Sequence, residues 1–341
     1  MRQFCLHVLS GGATLLILGV LALPGLRVLE ADGDAAARLE PAAAPAPASD
    51  PRRVFGVYVD PWHLDEWGAA IGAAPQAVAK FQAFSSERAL DGFARESRRR
   101  GIRRLMLSWE PWTPVPSALG VRAQARPQPG YRNVDIARGM QDRYVLGVAR
   151  ELARFDGTVY LRYAHEMNGY WYPWSRDARA YVWAWRRVVR LFATAGTRNV
   201  RFVWSANPNL YEPERRWRAE LRRYWPGRRY VDFVAGTMID FGGAKDYPVR
   251  RFAPRLRALR RDYRKPVLLA ETNTERRGAA AWLGELRALL ARSPWIRGVF
   301  WSQLPSRGQA QQAGTGVVDW DVRREPAAAA QLREIVRDGA R

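Results

Sequence analysis

The stretch "YLRYAHEMNGYWYPW", Tyr160 to Trp174, governs how the rest of the chain is read. It lies in a longer run beginning at Thr158, "TVYLRYAHEMNG", whose first part is continuously apolar, as a strand covered on both faces should be. The run ends on a glutamate, Glu166, set between His165 and Asn168 and followed by Trp171 and Trp174. A helical pattern comes next. Asp177 suits an N-cap, and Tyr181, Trp185, Val188 and Phe192 then recur at helical spacing.

Seven further runs of the same kind flank this one: Val54–Asp60, Lys80–Ser86, Ile102–Trp112, Val200–Asn209, Val231–Gly243, Pro266–Thr274 and Ile296–Gln303. Helical patterns separate them, among them Asp135–Phe155 and Trp282–Leu290. Strands alternating with helices imply βαβ units and a parallel sheet. Eight such units from Arg53 onward predict an α/β chain folded as a closed (β/α)8 TIM barrel rather than an open sheet. The Pro- and Gly-rich loop from Thr113 to Tyr131 is long enough for a lid or a cleft wall.

In such a barrel the reactive groups sit at the C-terminal ends of the strands. Acids stand at or near five of those ends: Asp60, Glu110, Glu166, Asp240 and Glu271. Glu166 in "YAHEMNG" and Glu271 in "LLAETNT" both follow long apolar runs and are flanked by amides. Strands four and seven are three apart around the ring, so their ends can face each other across the mouth. Two facing carboxylates can act on a glycosidic bond, one as proton donor and the other as nucleophile. The competing reading of each is a salt bridge to one of the many arginines. His165 is either a structural donor or a catalytic partner. Gly169 stands where an HExxH zinc motif would need its second histidine, so no metal site is expected there.

Three segments in succession, "VYLRYAHEMNGYWYPW", "YVWAWRRVVRLF" and "NVRFVWSANPN", resemble the core of glycoside hydrolase family 26, retaining β-mannanases and related β-glycanases of the large (β/α)8 clan. "LSWEPW" at the third strand and "LLAET" at the seventh are similar to it as well, so the likeness runs from Arg53 to about Asp321. The resemblance implies Glu166 as acid/base and Glu271 as nucleophile. It implies Arg162, His165 and Asn168 around the innermost sugar, and Trp171, Trp204 and Trp301 as stacking platforms. Trp174, Asn207, Glu110 and Trp109 complete the expected substrate-binding set. One departure stands out. Clan members usually carry a sixth-strand tyrosine that hydrogen-bonds the nucleophile, whereas this chain reads "GTMIDFGG", with Ile239 or a neighbour in its place. Tyr58 and Asn207 are the alternatives for orienting Glu271.

Composition bounds the partners. The 341 residues are 48% hydrophobic, enough for one large domain, and include fifteen tryptophans, whose indoles suit a core as well as flat sugar faces. The formal net charge of +22 comes almost entirely from arginine. It reads either as a solvated basic surface or as a match for an anionic partner such as an acidic glycan. No nucleic-acid-binding signature accompanies it. The single cysteine, Cys5, precedes the folded part, which therefore has no disulfide, thiol nucleophile or cysteine metal site. Arg2 and the apolar run Phe4–Leu23 read either as a signal peptide ending near Ala31 or as an uncleaved membrane anchor; both export the remainder of the chain. Residues 32–52 read as an Ala/Pro-rich linker and 53–338 as the catalytic domain. The expectation is an exported, cofactor-free, retaining endo-β-glycoside hydrolase acting on a polysaccharide. A glycan-binding protein without activity and a transglycosylase are its rivals.

Overall fold

The computed structural model describes residues 53–86, 90–116, 119–242, 247–303 and 319–340. The N-terminal apolar run and the linker lie outside them. Among the described residues no helix is long and apolar enough to cross a membrane.

Eight parallel strands close into a barrel in sequence order. They are β1 (Val54–Tyr58), β2 (Ala77–Ala83), β3 (Arg104–Glu110), β4 (Thr158–Tyr163), β5 (Val200–Ala206), β6 (Phe233–Asp240), β7 (Val267–Thr274) and β8 (Ile296–Ser302). The ring closes where β1 pairs with β8, Val54 opposite Gly298 through Tyr58 opposite Ser302. Helices α1 (Leu64–Ile71), α2 (Leu90–Arg99), α3 (Gly120–Gln124), α4 (Asn133–Ala137), α5 (Asp142–Ala153), α6 (Ala178–Thr194), α7 (Glu214–Arg223), α8 (Val249–Tyr263), α9 (Ala279–Ala291) and α10 (Pro326–Ala340) lie between and after the strands. The expected (β/α)8 barrel is the observed fold. Asp177 caps α6 as predicted, its carboxylate accepting from the Ala180 N–H at 2.9 Å. The single helix expected over Asp135–Phe155 is instead two, α4 and α5. The chain turns between them at Gly139, whose φ of 96° suits glycine. The loop after β3 carries α3, one short helix of five residues.

Alternation along the strands sorts the side chains into two apolar layers. One faces the helices and holds Phe55, Val57, Leu107, Trp109, Leu161, Tyr163, Trp204 and Trp301. The other fills the barrel with Val54, Tyr58, Ala79, Met106, Tyr160, Val203, Phe233, Leu268 and Phe300. Gly56 belongs to the inner wall because a Cβ there would sit 2.4 Å from the Phe300 ring. Toward the C-terminal end the interior turns polar: Ser108, Arg162, Ser205, Thr237, Glu271 and Ser302 are all buried there.

β7 interrupts this alternation. Gly236 of β6 lies opposite Leu269, but the next residue, Thr237, lies opposite Glu271. Ala270 is thus an extra residue on β7, a β-bulge. Leu268 and Ala270 both face inward. Strict alternation would then send Glu271 outward to the helices; the bulge returns it to the interior.

Candidate active site

Arg162 is the hub of the polar layer. Its side chain is fully buried, a costly position that requires every donor to be met. Nε donates to Ser205 Oγ at 3.0 Å, Nη1 to Ser108 Oγ at 3.2 Å and to Glu271 Oε2 at 3.1 Å, and Nη2 to Thr237 Oγ1 at 3.2 Å. One guanidinium from β4 thereby ties together β3, β5, β6 and β7.

Glu271 is buried, and desolvation pushes its carboxyl up to about 6, with Arg162 pulling it back. It is ionised at neutral pH. Tyr58 does not hydrogen-bond its carboxylate. The phenol donates instead to the Ala270 carbonyl at 2.9 Å, the bulge residue beside Glu271. Ser108 lies 2.9 Å from the same hydroxyl. Since Tyr58 spends its proton on Ala270, it accepts from Ser108. Tyr58 therefore pins the bulge, and Arg162 orients the carboxylate. Asn207, the other alternative, serves Glu166.

Glu166 lies just beyond β4, where Ala164 and Glu166 have φ of 42° and 53°. Two non-glycine residues in the left-handed region within three positions mark a backbone held by its surroundings. The holding bonds are visible: Ala164 N–H donates to Trp109 O at 3.0 Å and Glu166 N–H to Ser205 O at 2.8 Å. Three side chains donate to the carboxylate: Asn207 Nδ2 to Oε1 at 3.1 Å, Thr237 Oγ1 to Oε1, and Trp171 Nε1 to Oε2 at 3.1 Å. Asn168 grips Asn207 from both sides, donating to its carbonyl and accepting from its N–H, each at 2.9 Å. The structure thus gives Asn168 the role of positioning Asn207, with both ends of its amide engaged by protein.

His165 is buried and neutral, since burial and the Arg162 charge hold it well below the usual imidazole range. Its Nε2 lies 3.0 Å from Tyr172 Oη and 4.0 Å from Glu110 Oε1. Glu110 ends β3 with Trp112 Nε1 donating at 3.3 Å. Desolvation pushes its carboxyl up to about 8, against the pull of Trp112 and Arg162. It is protonated at neutral pH. The folded chain therefore keeps a proton that the unfolded chain releases near 4.5, and stability falls as pH rises from there through about 8. Glu110→Gln should flatten that fall, worth about 1.4 kcal/mol per pH unit within the window. Urea unfolding of both proteins from about pH 5 to 8 checks it.

Four of the expected sugar contacts are corrected. Trp109, Trp204 and Trp301 occupy outward strand positions and are buried in the layer under the helices. Trp109 packs on Phe192 and donates to Tyr144 Oη at 3.3 Å; Trp204 packs on Trp225 and Tyr263. Trp174 is buried, stacked 4.2 Å from Tyr172, with its N–H spent on the His165 carbonyl. None presents a ring face to the cleft. Trp171 is half-buried and touches Glu166. At the sixth strand Ile239 packs with Trp320 and Phe241, and the residue opposite Glu271 is its neighbour Thr237. Among the other acids, Asp240 accepts from the Gly242 and Tyr247 N–H groups and from Thr274, a loop-tying role, and Asp60 is exposed. Thr237, Ser108 and Ser205 belong to the site although no sequence motif marks them. Small hydroxyls carry no signal by themselves; their inward parity relative to Arg162 was the available one. Among the described residues no cluster of three His, Cys, Asp or Glu could hold a metal.

A closed eight-stranded barrel with two buried glutamates in its C-terminal polar layer is an arrangement compatible with a (β/α)8 glycoside hydrolase. The resemblance to family 26 is borne out: the sequence model of glycosyl hydrolase family 26 matches residues 138–246, the segment that contains Arg162, Glu166, Asn207 and Thr237. The chain is 25% identical over 253 residues to Endoglucanase H of Acetivibrio thermocellus, covering 69% of this chain and 24% of that protein. It thus spans about a quarter of that relative's length. Among solved structures it is similar in fold to a GH26 β-mannanase from Bacteroides ovatus, with TM-score 0.57, 18% identity, and 85% of this chain and 90% of the other covered. The catalytic domain of a Bacillus sp. GH26 endo-β-1,4-mannanase aligns with TM-score 0.59 and 15% identity, over 83% and 86% of the two chains.

Proposed function

We propose that the chain is a retaining endo-β-glycoside hydrolase of mannan-like or glucan-like polysaccharide, with Glu271 as nucleophile and Glu166 as acid/base. The observation that carries this reading is the linkage of the two acids. Glu271 and Glu166 share one polar layer, joined through Arg162 and Thr237. Glu271 is ionised above about pH 6 and attacks the anomeric carbon. Glu166 gives its proton to the departing oxygen, and the β-linked sugar becomes an α-linked ester on Glu271. Water, deprotonated by Glu166, then attacks the same carbon, and the product leaves with its original configuration. The neutral His165 and the protonated Glu110 offer hydrogen bonds near these acids without adding charge. The names of the similar proteins, an endoglucanase and β-mannanases, support a β-linked glycan backbone as the substrate class. The paired glutamates favour hydrolysis over mere glycan binding.

Incubating the purified domain with β-mannans, β-glucans and acidic β-linked polysaccharides, at low and high salt, finds the substrate. Proton NMR of the first product should show the β anomer before mutarotation. An initial α anomer would mean inversion and would require the carboxylates to stand roughly 6.5–9.5 Å apart instead of about 5–5.5 Å.

A further inference from the structure

We propose that Thr237 is a positioning residue that decides which oxygen of Glu166 carries the working proton: Oε1 is held as an acceptor, and Oε2 is the acid. The inference rests on the reading of Glu166 as acid/base and goes beyond it to a single atom. Arg162 has only donors, so Thr237 Oγ1 must accept from Nη2, which it does at 3.2 Å. The hydroxyl's one proton is then free to point elsewhere, and the acceptor in reach is Glu166 Oε1. Asn207 Nδ2 donates to the same oxygen at 3.1 Å. A carboxylate oxygen has two in-plane lone pairs, and on Oε1 both are taken. Among the described residues Oε2 receives only the Trp171 N–H, at 3.1 Å, and one of its lone pairs stays open to them. A proton arriving on Glu166 therefore settles on Oε2, beside the half-buried indole of Trp171, and is kept off Oε1 in the buried layer. Arg162 sets the direction of the Thr237 hydroxyl, and the register of β6 places it, with Thr237 opposite Glu271 across the sheet.

The test is Thr237→Val, which keeps the shape and removes the hydroxyl, alongside Thr237→Ser, which keeps the hydroxyl. In the valine variant Oε1 gains an open lone pair that can take the proton, and the carboxyl also loses one of the two anchors that aim Oε2 at the departing oxygen. The glycosylation rate on polysaccharide should fall roughly ten- to a hundredfold, a share of the roughly 10²–10⁴ that general acid help supplies. The rate on an aryl glycoside with a strongly activated leaving group, which hardly needs the proton, should change less than about threefold. Thr237→Ser should recover most of the polysaccharide rate. An equal fall on both substrates, or a serine variant as poor as valine, overturns the proposal. Should the valine variant not fold, as judged by circular dichroism and Tm, Thr237→Ala against Thr237→Ser gives the same contrast. The underlying reading fails separately, if Glu166→Ala itself shows no dependence on the leaving group.

Discussion

Glu166→Ala is expected to lose roughly 10²–10⁴-fold on natural polysaccharide while keeping most of its glycosylation rate on an activated aryl glycoside. An alkyl or sugar alkoxide is a poor leaving group and needs a proton as it departs; an activated phenolate does not. The second step still needs a base, so the covalent glycosyl-enzyme should accumulate and appear as a burst of released phenol. Added azide, a small nucleophile that needs no deprotonation, should speed turnover and give a β-glycosyl azide. Glu271→Ala should lose activity on both substrates, because no leaving group compensates for a missing nucleophile. If the two variants respond alike to leaving-group ability, or if Glu110→Ala shows the dependence instead, the roles are misassigned.

Arg162→Met should be the most damaging change to the fold among these residues. Removing one partner of a buried ion pair costs about 3–5 kcal/mol, because the other charge is left without compensation. The remaining partner here is Glu271, at 3.1 Å. The sign of the pH dependence identifies the cause. Arg162 lowers the Glu271 pKa, so its loss moves that pKa above the present value of about 6. An acid whose folded pKa is raised is most stable when protonated, and it loses stability as pH rises through the folded value. The deficit of Arg162→Met relative to wild type should therefore shrink below about pH 6 and widen toward about pH 8, and the acid limb of its residual activity should move upward. Chemical denaturation at about pH 5 and about pH 8 reads the first effect. A deficit independent of pH would mean that the arginine acts through packing and its three hydroxyl partners rather than through Glu271.

The barrel was legible because a parallel barrel writes itself as continuous apolar runs alternating with helical spacing. The acids at the ends of strands four and seven were legible because burial makes such positions conspicuous. What failed to show was side-chain direction. Trp109, Trp204 and Trp301 are flat, large and close to strand ends, but each is an odd step away from an inward neighbour such as Ser108, Ser205 or Phe300. They pack under the helices. Parity along "RLMLSWE" and "IRGVFWS" could have revealed this once one inward residue was fixed. Parity would have misled at Glu271, where the bulge reverses it. Parity could have turned Thr237 inward but not have shown what it does there. Its importance comes from a neighbour 75 residues earlier in sequence and another 71 residues away. The helix at 135–155 split because Gly139 is cheap to turn at, a signal present in the sequence and outweighed there by the apolar spacing.

The irregularities of β7 separate the molecule's scaffold from its reactive rim. Between β7 and β8 the register slips twice. Val267 lies opposite Ile296, Leu268 opposite Gly298, and Thr272 opposite Trp301. The extra residue on β8, Arg297, and the later one on β7, Ala270, cancel, so the two strands leave the sheet with the stagger they had on entering it. Against β6 no such cancellation occurs: Val234 opposite Val267 becomes Asp240 opposite Thr274. The rim of β7 is thus offset by one position from β6, while its foot remains in register with the inner apolar layers. A one-residue insertion or deletion near Ala270 would act as a gear change, re-aiming every side chain from Glu271 to Thr274 and leaving the foot of the barrel untouched.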